Sequence, residues 1–261
     1  MPINVAASLV TTLALYCGVS SVFFAIRGDY EPAAYLIILA IFLDMLDGTV
    51  ARMTQSTSDF GKELDSLADM VSFGVAPAVL IYSAYLVEGQ ELHQFLAPAG
   101  SMMASVYVIC AALRLARYNV FQADRQDLFT GLPSPAAAGN IAGFTLFCQY
   151  FDFNVAYWVL GPFTLFLALL MVSTVRYPKK TMRAFILAPR RAFRVLVMFV
   201  GAIAAVNYAL HYKSPAIIFL PFGLTYIAFG LVNDGVARLT RRHSVRPEET
   251  PAGEHAATAP K

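Results

Sequence analysis

Four aspartates stand in two tight pairs on either side of a short connection. Asp44 and Asp47 are three residues apart, and Asp65 and Asp69 are four apart. On a helix either interval brings both side chains to one face. Two helices joined by so short a loop run antiparallel side by side, so the pairs converge. An Asp in a membrane helix costs about 2.5–3.5 kcal/mol at the helix centre, and such residues usually mark function. Four facing carboxylates repel one another, and Arg52 is the one cation at a patterned position, so the arrangement calls for one or two divalent metals with oxygen ligands. No His or Cys stands near enough to suit zinc, which favours Mg²⁺ or Mn²⁺. Such ions serve phosphoryl transfer by bridging phosphate oxygens and offsetting charge during an in-line displacement. Gly48 and Ala51 share the Asp44 and Asp47 side of their helix and leave room for a ligand.

The elements that must carry these residues are apolar. The 261-residue chain is 58% hydrophobic and 14% charged, too apolar for an ordinary soluble domain. Spans of roughly 20 apolar residues, enough to cross a hydrocarbon core as helix, are predicted at 6–26, 33–52, 66–87, 97–117, 132–150, 156–175, 192–211 and 215–233. The expected fold is all-α, a polytopic transmembrane bundle. Residues 1–175 form its core, 176–191 a basic interfacial segment, 192–233 two extra helices, and 234–261 a cytoplasmic, largely disordered tail. The first span lacks a basic leader and is expected to be retained.

Eight spans put both termini on one side. That side then holds Arg52, Lys62, Arg114, Arg117, Arg125, the seven cations from Arg176 to Arg194, Arg238, Arg241, Arg242, Arg246 and Lys261, which is 17 of the 19 Lys and Arg residues. Arg27 and Lys213 are left for the other side. This bias predicts cytoplasmic termini in a cell (inner) membrane. A net charge of +2 argues for no nucleic acid as partner. Cys17, Cys110 and Cys148 lie in apolar stretches with no metal-site or disulfide spacing.

The whole pattern is D-x2-D-G-x2-A-R-x8-G-x3-D-x3-D, with Gly61 as its remaining fixed position. A chance match at one start point has a probability of roughly 10⁻¹⁰. With this pattern the chain resembles the CDP-alcohol phosphotransferase family. The resemblance implies a six-helix core, a homodimer and a site opening to the cytoplasmic leaflet. It further implies that Asp44, Asp47, Asp65 and Asp69 hold a binuclear Mg²⁺ or Mn²⁺ site and that Asp69 doubles as general base. Gly48, Ala51 and Arg52 would line the CDP moiety, with Ser58 as a further phosphate contact. Asp59 and Glu63 match no fixed position and are expected to be solvated loop charges.

Three further segments are similar to the branch of that family that uses serine: Asp65-Ser-Leu-Ala-Asp69-Met-Val-Ser-Phe-Gly-Val-Ala-Pro-Ala78, Leu113-Arg-Leu-Ala-Arg117-Tyr-Asn119 and Gly131-Leu-Pro-Ser-Pro-Ala-Ala-Ala138. The implied reaction moves a phosphatidyl group from CDP-diacylglycerol to L-serine, with CMP as the other product. A zwitterionic acceptor needs a cation for its carboxylate, which Arg114 or Arg117 can supply unless they only anchor the helix at the interface. Ser134 is expected to cap its helix or to face the pocket, with capping the favoured role; Asn119 and Asp124 are further pocket candidates. One departure stands near the N-terminus. The branch usually carries Pro-Asn shortly before a Thr and an Asn beyond it, where this chain has Ala7-Ser8-Leu-Val-Thr11 and Ala14. The runner-up is the same chemistry with glycerol 3-phosphate or inositol phosphate as acceptor. A cation transporter is the alternative from another class, and the confinement of the acidic residues to one end of two spans speaks against it.

Overall fold

The computed structural model describes residues 5–53, 59–86, 93–122, 128–152, 157–178 and 219–244. The expected span 192–211, most of the basic segment and residues 245–261 of the expected tail lie outside them, whereas residues 234–244, expected in that largely disordered tail, are helical. The chain is a polytopic helical membrane protein. Three of its described helical stretches, Ser8–Arg27, Phe60–Leu86 and Ala99–Val120, are long and apolar enough to cross a bilayer, and Val159–Val172 and Phe219–Val232 are shorter apolar helices.

Helix α1 (Val5–Arg27) ends at Gly28, whose φ of 87° turns the chain back. The turn is closed by Gly28 N donating to Ala25 O and Asp29 N donating to Phe24 O. Helix α2 (Tyr30–Met53) then runs back along α1. Small side chains let the two approach: Ala25, Ala33, Ala34 and Ala40 are buried, and Ser21 Oγ reaches across to the carbonyl of Ala33 at 2.8 Å.

The third stretch of helix is not uniform. Helix α3 (Asp59–Asp69) passes into a π-helical turn (Met70–Val75), then α4 (Ala76–Ile81), then a second π-helical turn (Tyr82–Leu86). A π turn displaces backbone groups from their usual partners, and here side-chain hydroxyls engage the neighbourhood. Tyr107 Oη donates to the carbonyl of Phe73, and Ser72 Oγ to the carbonyl of Ala14 on α1, both at 3.1 Å. Helix α5 (His93–Arg117) follows and also closes with a π-helical turn, Tyr118–Gln122.

Helices α6 (Ser134–Phe151) and α7 (Tyr157–Val172) complete a six-helix core, and α8 (Phe219–Ser244) packs on α6. The sequence reading missed one local element. Strand β1 (Leu128–Thr130) pairs antiparallel with β2 (Arg176–Pro178), so Phe129 stands opposite Tyr177. This ladder draws together the chain before α6 and the chain after α7.

Two apolar clusters share α6. One gathers Cys17, Ile37, Phe73, Leu80, Ala138, Ala142 and Leu146 from α1, α2, the first π turn, α4 and α6. The other gathers Tyr107, Ala111, Ala137, Ile141, Leu160, Leu167 and Ile227 from α5, α6, α7 and α8. Alternate faces of one Ala-rich helix thus seal both halves, which only small side chains allow without forcing the helices apart.

Candidate active site

The acidic pairs meet where α2 ends and α3 begins. Asp44, Asp47 and Asp65 each present a carboxylate oxygen, and these oxygens lie within 4.8 Å of one another. Asp69, one turn beyond Asp65, is within hydrogen-bonding reach of Asp44. The antiparallel approach expected from the spacing is therefore the arrangement found. Asp47 is buried, at 6% exposure, and accepts a hydrogen bond from Thr11 Oγ1 at 2.8 Å.

Thr11 is a member of the site that the sequence reading noted without giving it a role. The sequence offers there only a hydroxyl in an apolar span, which by itself assigns no role. Thr12, its neighbour, instead returns its hydroxyl to the carbonyl of Ser8 within α1.

Three carboxylate oxygens at this separation form an all-oxygen donor set with no sulfur or imidazole among the described groups. Such a set fits a hard divalent cation and does not suit zinc or copper. Gly48 follows Asp47 on α2, and a Cβ built there meets no described atom within 4 Å, so the site has space on that side. Ala51 and Arg52 lie in the last turn of α2, placed there by the backbone. Ser58 and Asp124 are outside the described residues.

Close to Asp44 and Asp69 stands Arg114, buried on α5 at 7% exposure. Its Nη1 donates to Ser134 Oγ at 2.6 Å, and its charge interacts with that of Asp69. The Nε of Arg114 is buried with no hydrogen-bond partner among the described residues. A guanidinium taken out of water this way is held by its few partners, so its direction is fixed. Ser134 does not cap α6. The N-cap is Pro133, with no side-chain cap bond, and Ser134 is fully buried with its hydroxyl turned to Arg114. The favoured capping role is thus corrected: a cap hydroxyl must turn to the helix's own first amides, and a buried cation offers the stronger hydrogen bond.

Arg117 lies one turn further on and is used differently. Its guanidinium donates to the carbonyls of Val172 at 2.7 Å, Met171 at 3.1 Å and Ser173 at 3.4 Å, which closes the C-terminal end of α7. Gly131 packs into the same knot. Its N–H donates to Val175 O at 2.8 Å, and Leu132 N–H to Leu170 O at 2.9 Å. Gly131 has φ of 85°, and a Cβ there would collide with the carbonyl oxygen of Met171 and stand 2.7 Å from Arg117 Nη2. Asn119 sits at the rim and donates through Nδ2 to Ser66 Oγ at 2.8 Å, bracing the end of α5 against α3.

Residues 4–175 match the CDP-alcohol phosphatidyltransferase family. The chain belongs to that family. The match includes α1 to α7, every described residue of the acidic cluster, and the Arg114–Ser134 pair. This CDP-alcohol phosphatidyltransferase is also similar to proteins named CDP-diacylglycerol–serine O-phosphatidyltransferase. One, from Mycobacterium tuberculosis, is 35% identical over 215 residues, 78% of this chain and 71% of that protein. Another, from Helicobacter pylori, is 37% identical over 185 residues, 68% and 75% of the two chains. A third relative, named archaetidylserine synthase, from Methanothermobacter thermautotrophicus, is 38% identical over 173 residues, 66% and 68% of the two chains.

Proposed function

We propose that this membrane enzyme transfers the phosphatidyl group of CDP-diacylglycerol to L-serine, giving phosphatidylserine and CMP. The observation that carries the reading is the meeting of a three-carboxylate cluster and Asp69 with a buried arginine. The names of the relatives from M. tuberculosis and H. pylori support serine as acceptor.

Asp44, Asp47, Asp65 and Asp69 hold the divalent ions, Mg²⁺ or Mn²⁺, in a binuclear site. Bound there, they supply charge neutralisation for the pyrophosphate of the donor. Gly48, Ala51, Arg52 and Ser58 receive the CDP portion, with Gly48 keeping the flank of the cluster open. Arg114 takes the carboxylate of serine, and Ser134 fixes the direction of the guanidinium. Arg117 serves the same pocket indirectly, by holding the end of α7 and the Gly131–Ser134 lead-in. Asp69, which interacts with both the cluster and Arg114, accepts the proton of the serine hydroxyl. The hydroxyl oxygen attacks the lipid-side phosphorus, one new P–O bond forms, the bond to CMP breaks, and CMP departs as the anion. No covalent enzyme intermediate is required.

The bias of 17 of 19 Lys and Arg residues to one side supports a site facing the cytoplasm. The family resemblance supports a homodimer. The test is CMP release from CDP-diacylglycerol by purified enzyme, with L-serine, glycerol 3-phosphate, inositol phosphate or no acceptor. Serine-dependent release abolished by EDTA and restored by Mn²⁺ or Mg²⁺ is expected. Release with another alcohol alone overturns the serine assignment, and release unaffected by chelation overturns the metal site.

A further inference from the structure

Helix α8 lies beyond the residues that match the family, yet it packs against the helix that holds Ser134. Two close approaches fix how it docks. A Cβ at Gly143 on α6 would stand 2.9 Å from Leu220 N, and one at Gly223 on α8 would stand 2.6 Å from Asn140 Oδ1. Position 143 is therefore level with 220 and position 140 with 223, an antiparallel register that glycines alone permit at this separation. Continued by one turn, this register sets Tyr226 level with Ala137 and Ile227 level with Ala136. The apolar packing agrees: Ala137 and Ile227 are buried in one cluster, with Ala136 and Tyr226 against it.

Ser134 is the next residue along that face of α6, and it holds Arg114. The Tyr226 phenol is accordingly close enough to the Arg114 guanidinium to interact with it electrostatically. A phenolic oxygen is a hydrogen-bond acceptor, and an aromatic ring flanks a guanidinium favourably.

We propose that Tyr226 is a positioning residue for Arg114, so that α8 completes the acceptor side of the active site and helps set acceptor affinity. The proposal rests on the reading that Arg114 receives the anionic group of the acceptor, a carboxylate in serine or a phosphate in the other alcohols. In physical terms, Ser134 constrains Arg114 from α6, Asp69 attracts it from α3, and Tyr226 bounds it from α8. Without the third constraint the guanidinium keeps its charge and loses its aim.

The experiment compares Tyr226→Phe, Tyr226→Ala and the control Phe222→Leu, an exposed position on the same helix. Each full-length variant is measured for kcat, for KM toward L-serine and toward CDP-diacylglycerol, and for thermal midpoint in detergent. For Tyr226→Phe the serine KM is expected to rise about three- to tenfold, the scale of one lost polar contact, with a larger rise for Tyr226→Ala. The lipid KM, kcat and thermal midpoint of Tyr226→Phe, and all values for Phe222→Leu, should stay within about twofold or a few degrees of the parent. An unchanged serine KM in a folded Tyr226→Phe variant overturns the proposal. So does a parallel rise in both KM values that tracks a fall in thermal midpoint, which is the mark of a purely structural residue. If the parent enzyme uses a different alcohol, the serine reading falls and this one does not, because KM for that alcohol then carries the same comparison.

Discussion

Thr11 Oγ1 donates to Asp47 Oδ2 at 2.8 Å across 36 residues of sequence, from the first helix to the cluster on the second. It orients a buried carboxylate that has no room to reorient through water. Groups that aim a metal-binding carboxylate typically contribute ten- to a hundredfold in metal affinity or activity. Thr11→Val should therefore raise the Mn²⁺ concentration for half-maximal CMP release by about tenfold, and Thr11→Ser should restore it. Equal metal dependence in Thr11→Val and parent would remove Thr11 from the site.

Asp69 interacts both with Asp44 and Asp65 of the acidic cluster and with Arg114. Asp69→Asn preserves its shape and removes its capacity to take a proton. Turnover is expected to fall about 10²- to 10⁴-fold, while CDP-diacylglycerol binding, measured by equilibrium titration, changes little. Surviving turnover would assign the base role elsewhere.

The two arginines of α5 should separate cleanly. Arg114→Ala should raise the KM for serine about 10- to 100-fold, the loss of a charge-assisted hydrogen bond, with a much smaller effect on the lipid. Arg117→Ala should instead lower stability by about 2–4 kcal/mol, because carbonyls at the end of α7 lose their donors. Thermal unfolding in detergent beside steady-state kinetics distinguishes them; a stable Arg117→Ala variant with only a serine defect would return Arg117 to the pocket.

Gly131→Ala places a methyl group against the Met171 carbonyl in a backbone conformation that L residues rarely adopt. A cost of about 1–3 kcal/mol or more is expected, visible as a lower thermal midpoint. A Gly131→Ala variant as stable as the parent would show that the knot beside Arg117 is not tight.

The acidic cluster was legible before any coordinates because helical periodicity and one short loop determine where Asp44, Asp47, Asp65 and Asp69 can meet. The spans were legible from the length of their apolar runs, and the six-helix core from the family resemblance. What sequence spacing does not encode is which partner a long side chain selects. Arg114 and Arg117 look alike in the sequence, one turn apart near the end of a span. One is aimed by the Ser134 hydroxyl, and the other is engaged by the open carbonyls at the end of α7. Thr11, Tyr107 and Tyr226 were hidden for a related reason: each acts on a residue far away in sequence, and an isolated hydroxyl in an apolar helix has no period to reveal it. The β1–β2 ladder, three residues per strand, is too short to leave a pattern.

The grip of Arg117 on the end of α7 has a consequence for how the enzyme is divided. All four aspartates and both arginines precede residue 123, whereas Ser134, the Gly131 knot and Tyr226 follow residue 127. The two stretches are held together by packing, with α6 seated against α2 and α7 against α5, and by the hydrogen bonds of Arg114 to Ser134 and of Arg117 to the end of α7. Fragments cut between Gln122 and Leu128 and co-expressed have the contacts needed to reassemble.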